Sequence, residues 1–204
     1  MAPASEFARR AIAFQHRMLR DNVATVSLDE ALFTAGGYRS ILGVLKHLGG
    51  WLHVYHDYAF GEDPKHFEQT SWPRGLGDTI EPNSEYLSEV LAWIDEGFAA
   101  WDTEIAACDD EDLRKPRPVH WGAVLPLDEI VLIMVAHSGY HTGELNMLLS
   151  IARGEAWELG EEVEENHVDT FGRAVRGVWM SDEVYGQYVE KRRRRRGEIQ
   201  RENG

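Results

Sequence analysis

Apolar residues recur at three- and four-residue intervals along most of this chain, and strict alternation is nearly absent, so the pattern predicts helices. A first helix is expected from about Ser5 to Val26, with Ser5 as its N-cap and Ala8, Ile12, Leu19 and Val23 on the inward stripe. Gly36 and Gly37 break the pattern. A second helix starts near Tyr38 or Arg39 and runs to Phe60, despite Gly49 and Gly50 in its middle. Paired glycines cost about 1 kcal/mol each against alanine, so close approach of another helix, or room for a ligand, is expected there. Ser84–Ala107 forms a third helix, and Leu127–Arg153 a fourth, stopped by Gly154.

The connections between these helices carry information of their own. Residues 61–82 are rich in glycine, proline and polar side chains, and read as a crossing from one end of a bundle to the other. Residues 108–126, with three prolines, read as a second irregular connection. The expected fold is therefore all-α: a four-helix bundle over residues 1–155 that is not simply up-down-up-down. A C-terminal extension, 156–204, follows, with an acidic strip (Glu155–Glu165), a short helix from Ser181 and a basic end.

Composition narrows the class more than the function. A length of 204 residues suits one buried core, and seven tryptophans argue for a folded chain. The formal net charge of −14 opposes nucleic-acid binding, because phosphate contacts need concentrated basic surface. The basic run Lys191–Arg196 is a local exception: residues 191–204 carry a net +5, leaving −19 for the rest. The solvated reading of that run, or its pairing with acidic surface, outweighs a nucleic-acid contact. One cysteine, Cys108, permits no internal disulfide, the N-terminus lacks a signal-like apolar stretch, and Ile130–Ala136 is too short to span a membrane. A cytoplasmic protein without membrane contact is expected, and the apolar remainder of the bundle suggests a homodimer.

Candidate chemistry lies on the fourth helix. His137 and His141 are one turn apart, on a stripe with Ile130, Ile133, Met134, Leu145 and Leu148, so both imidazoles point inward. Two neutral imidazoles in an apolar interior need partners, and a divalent cation satisfies both. With nine histidines in the chain such a pair is weak evidence by itself, and a third ligand is needed. His47 shares a stripe with Val44, Trp51, Val54 and Tyr55 and is the best candidate, and His16, on the first helix's apolar stripe, competes. His53, His56 and His66 are expected at solvent or the long loop, Trp51, Trp93 and Trp101 in the core, and His120 and Trp121 near a pocket mouth.

The segments SILGVLKHLGGW (40–51) and HSGYHTGELNMLL (137–149) together resemble the DinB-like superfamily of metal-binding four-helix bundles, which includes thiol S-transferases and mycothiol-dependent maleylpyruvate isomerase. The resemblance covers about residues 5–155. It implies a three-histidine site of His47, His137 and His141 holding a divalent transition metal such as Zn, Ni or Fe. It further implies that a low-molecular-weight thiol serves as cosubstrate or cofactor. Family members often have His-Arg-Gly-Gln where this chain has His141-Thr142-Gly143-Glu144, so a carboxylate replaces an amide. Glu144 then orients a histidine, acts as a catalytic general base, or pairs with charge at the bundle edge. Trp51, Tyr140 and His16 are candidate pocket residues for the small-molecule substrate and cofactor. The expected activity is transfer of a small thiol, or thiol-dependent isomerisation, with a metal activating thiol or water. The alternative is a non-catalytic metal-binding bundle acting through protein partners.

Overall fold

Helices form where the apolar period is sustained, and three of them begin where a side chain caps the free amides. The computed structural model describes residues 3–75 and 80–154, together with Glu183, Gln187 and Glu190. The acidic strip and the basic run lie outside the described residues, as does the short helix from Ser181 apart from those three positions, each of which has helical backbone. The helices are α1 (Ala4–Val23), α2 (Leu28–Leu32), α3 (Ile41–Phe60), α4 (Ser84–Ala107) and α5 (Leu127–Ala152). Among the described residues, no helix is long and apolar enough to cross a membrane.

The helix ends refine the expected boundaries. Ser5 is not the cap of α1: Pro3 precedes the helix, its fixed φ suiting entry, and the helix ends at Val23 with the expected stripe buried. The next residues form the unexpected α2, whose capping box has Ser27 Oγ accepting from the Glu30 amide and the Glu30 carboxylate accepting from the Ser27 amide. α3 starts at Ile41 because Ser40 Oγ accepts from the Gly43 amide. Asn83 caps α4 in the same way, through the Tyr86 amide at 2.8 Å. Gly154, at φ +66°, follows α5 in the left-handed conformation that ends helices.

Contacts between side chains fix the helix directions. α1 runs antiparallel to α4, with Arg9 bidentate to Asp102 and His16 Nε2 2.7 Å from Asp95. α3 runs parallel to α4, with Gly49 against Trp93 and Ile94, and the Trp101 indole N–H donating to the Leu52 carbonyl. α3 and α5 are antiparallel, and α5 lies beside α1 in the same sense. The order is up-down-down-up, so a chain leaving the bottom of α3 must return to the top to begin α4. The long connection after Phe60 does this, as its length implied. It carries a single turn of 3-10 helix at Phe67–Gln69, closed by the Trp72 indole donating to the Phe67 carbonyl. The second connection, expected to be irregular, contains a two-stranded antiparallel ribbon, β1 (Pro116–Pro118) and β2 (Val124–Pro126), with Arg117 opposite Leu125. Three residues per strand, with proline at three of the six positions, give too little alternation to read from sequence.

The glycine pair in α3 is explained by two close approaches. A Cβ at Gly49 would sit 2.6 Å from the Trp93 ring, and one at Gly50 would sit 2.4 Å from Trp72 and 2.7 Å from Phe67. Helix α4 therefore lies against one glycine and the returning loop against the other. His53 and His56 are not at solvent as expected. They are half-buried, His53 stacked on Trp93 with its Nε2 2.9 Å from the Trp93 carbonyl, and His56 packed on Phe60 and Trp101. A 3.6-residue period places them off the apolar stripe, but α3 is embraced by α4 as well as α5, so its buried arc is wider than one stripe.

Gly49→Ala should destabilise the fold by about 1–2 kcal/mol in chemical denaturation, because overpacking against a buried tryptophan outweighs the helix-propensity gain. Burial holds the imidazoles of His53 and His56 below the usual value of 6.5. The unfolded chain therefore binds more protons than the fold once the pH falls below 6.5, and stability contributed above that value is lost on acidification. His56→Leu should lose less stability than the parent protein between about pH 7 and about pH 5.5.

Candidate metal centre

Antiparallel packing of α3 on α5 brings their inward stripes together at mid-height. His47 comes from the second turn of α3, and His137 and His141 from successive turns of α5. One ring nitrogen from each lies within 4.8 Å of the other two. The ring centroids of His47 are 5.5 Å from His137 and 4.7 Å from His141, and His137 Nε2 is 3.1 Å from His141 Nε2. Nitrogen ligands about 2.0–2.1 Å from one ion are themselves about 3.0–3.4 Å apart, so the α5 pair already has ligand spacing.

The proton inventory is fixed from outside the cluster. His141 is buried, and its Nδ1–H donates to Glu144 Oε2, which leaves its Nε2 with a lone pair facing the other rings. Glu144 is itself buried and sits three residues beyond His141, on the same face of α5. Burial would push its carboxyl up, but Tyr38, the His141 hydrogen bond and the Arg39 charge together hold it below the ordinary carboxylate value. Arg39 Nε lies 3.6 Å from the second carboxylate oxygen. Burial, then the Arg39 charge and the neighbouring His141, bring His47 down to about 4. Burial, then the two neighbouring imidazoles, bring His137 to about 4 as well. At neutral pH His47 and His137 are therefore neutral imidazoles.

Around the trio the site is polarised along the seam. At one end are Tyr38, Arg39 and Glu144. At the other is an aromatic wall: Trp51 packs on Phe67, Tyr55 and His120, Phe67 lies 6.0 Å from His47, and Tyr55 lies 6.1 Å from His137. His120 is held at the turn of the ribbon, where Val119 and Ala123 pair, and reaches Trp51 at 4.4 Å.

Of the residues singled out from sequence, His47, His137, His141, Glu144 and Trp51 come together. Tyr140 touches the edge of His141 at 5.0 Å, but the residue is 67% exposed on the outside of α5. His16 is not brought to the cluster. It sits on the seam between α1 and α4, stacked on Phe98 and bonded to Asp95. Its apolar stripe was read correctly, but that stripe faces a different helix. Tyr38, Arg39, Tyr55 and Phe67 were missed as site residues. Arg39 and Phe67 lie in connections without helical period, and nothing in their spacing marks them.

Replacing Glu144 removes the acceptor for His141 Nδ1–H. In Glu144→Leu the metal-free protein should lose about 1–3 kcal/mol of stability. Histidine nitrogen NMR should show His141 as the Nδ1–H tautomer in the parent protein and as the Nε2–H tautomer in the variant.

Comparison with curated proteins and with solved structures returns no significant match. The DinB superfamily model matches residues 11–145, a span holding all three histidines and Glu144. The chain therefore belongs to the DinB superfamily.

Proposed function

We propose that this protein is a metal-dependent enzyme acting on a small molecule, in which His47, His137 and His141 hold a divalent transition ion such as Zn, Ni or Fe. The observation that carries the reading is the convergence of three imidazoles from two helices, one of them oriented by a buried carboxylate. Membership of a metal-binding superfamily supports the same ion site. When bound by three imidazoles, such an ion keeps open positions and acidifies a thiol or water at neutral pH.

The remaining roles belong to the chain's own residues. Glu144 keeps the His141 proton on Nδ1 and its Nε2 lone pair directed inward. Arg39 supplies positive charge beside the cluster, suited to an anionic group on substrate or cosubstrate. Trp51, Tyr55 and Phe67 exclude water from one side and offer an apolar wall to an electrophile. The nucleophile is a thiol brought by a cosubstrate. The protein's Cys108 is bonded to the Glu104 carbonyl beyond the end of α4, and burial and neighbouring acids push its thiol up. The reaction is then transfer of a small thiol to an electrophile, or isomerisation using the thiol as cofactor, in the cytoplasm.

Protein purified without a histidine tag should carry close to one transition ion per chain. His137→Ala should abolish that occupancy, and Glu144→Ala should weaken affinity about 10–100-fold. A panel of small thiols with bromobimane should show turnover that disappears on chelation while the melting temperature drops only modestly. A metal that proves essential for folding, with no thiol turned over, would instead indicate a structural ion.

A further inference from the structure

The exposed face of α5, centred about a third of a turn from the histidines, is unlike an ordinary solvent face. Leu132, Tyr140, Met147 and Ile151 are 65%, 67%, 46% and 43% exposed, with Ala136 and Gly143 exposed between them. At 100° per residue these six positions share one stripe, and no charged residue interrupts it. The stripe is about 30 Å long at 1.5 Å per residue. Beside it, between α1 and α5, lies a groove of about 160 Å³ lined by Gln15, Met18, Asn22, Gly139, Thr142, Gly143 and Asn146. Its floor is open because a Cβ at Gly143 would meet nothing within 4 Å.

The spacing of the stripe is symmetric about a point between His141 and Thr142. Turned over by a two-fold axis there, Leu132 meets Ile151 of a second copy, Ala136 meets Met147, and Tyr140 meets Gly143. Two of the three pairings set a bulky side chain against a small one, so the surface is complementary to itself, as an isologous contact requires. The antiparallel arrangement also opposes the two helix dipoles. We infer that this face of α5 is a homodimer interface, with Tyr140 of each copy entering the groove beside Gly143 of the other. The ring fills the glycine notch, and its hydroxyl reaches the polar lining of Gln15, Asn22 and Asn146.

Area sets the extent of the contact. A strip about 30 Å long and one helix wide covers roughly 350 Å², against about 800 Å² per partner in a standard interface. The α1 side of the groove must therefore be included, which is where the inserted tyrosine would touch. The stripe is centred about a third of a turn from His137 and His141 on α5, with Tyr140 at its border against His141, and the inference rests on the exposed stripe alone, independently of the metal reading.

Sedimentation velocity across a dilution series should show the full-length protein as a dimer at about 100 µM that dissociates on dilution. Gly143→Leu should be monomeric with an unchanged or raised melting temperature, because the free fold has room for the side chain and leucine favours helix. Tyr140→Glu should also be monomeric, and Val124→Asp, on the exposed ribbon, should remain dimeric. In a Cys108→Ser background, chains carrying Ala136→Cys mixed with chains carrying Met147→Cys should form a mixed disulfide in preference to either same-site disulfide. A full-length protein that stays monomeric at about 100 µM overturns the inference. So does a dimer that survives Gly143→Leu and Tyr140→Glu, or one in which same-site disulfides prevail.

Discussion

Placing three imidazoles on the seam between α3 and α5 is a constraint the rest of the bundle must accommodate. Each ring is largely withdrawn from water, and a buried polar nitrogen without a partner costs on the order of 1–3 kcal/mol. The fold meets that cost on one side only. Glu144 takes the outer proton of His141, while the inner nitrogens of all three rings are turned toward each other. Lone pairs facing one another do not stabilise a protein, since His137 and His141 can share at most one proton between their 3.1 Å nitrogens. The arrangement fits metal binding, because one cation would satisfy all three inner nitrogens at once.

The up-down-down-up order follows from what must surround that seam. Two parallel neighbours, α3 and α4, force a long return loop, and the return loop carries Phe67 and Trp72 back over the waist of α3. Gly49 and Gly50 make room for both layers at adjacent positions, one for the α4 tryptophan and one for the loop aromatics. The same pair of glycines thus weakens α3 as an isolated helix and tightens it as part of the site. The ribbon before α5 adds His120 to the aromatic wall, so the seam is closed by segments that are themselves irregular.

What could be read from the sequence was whatever one helix decides alone. The inward stripe of α5 and the phase of His47 on α3 follow from local period, while the choice of His47 over His16 came from the family resemblance. The crossover was legible through its length. The errors at the site come from relations between elements. His16 has the right local stripe and the wrong neighbour, because periodicity gives a buried face without saying which helix covers it. His53 and His56 look solvent-facing on a single-stripe reading, yet α3 has neighbours on two sides. Arg39 and Phe67 reach the histidines from connections, where no period exists to be read. The α2 capping box at Ser27 and Glu30 was present in the sequence but too short in its apolar run to stand out.

Helix α5 shows how much one element can be asked to do. Its residues are apolar on nearly every side, a pattern that would ordinarily mean a helix buried all round. In this bundle only part of its circumference is covered by α1 and α3, and the remainder, from Leu132 to Ile151, lies open. Selection for solubility alone favours charge at such positions, as on the outer face of α4, where Glu85, Glu89 and Glu96 occur. Leu, Tyr, Met and Ile at these positions, with Gly143 in two-fold register to Tyr140, are accounted for by the homodimer we infer. The inner face of α5 would then serve an ion and the outer face a second copy, with the backbone between them held rigid by both.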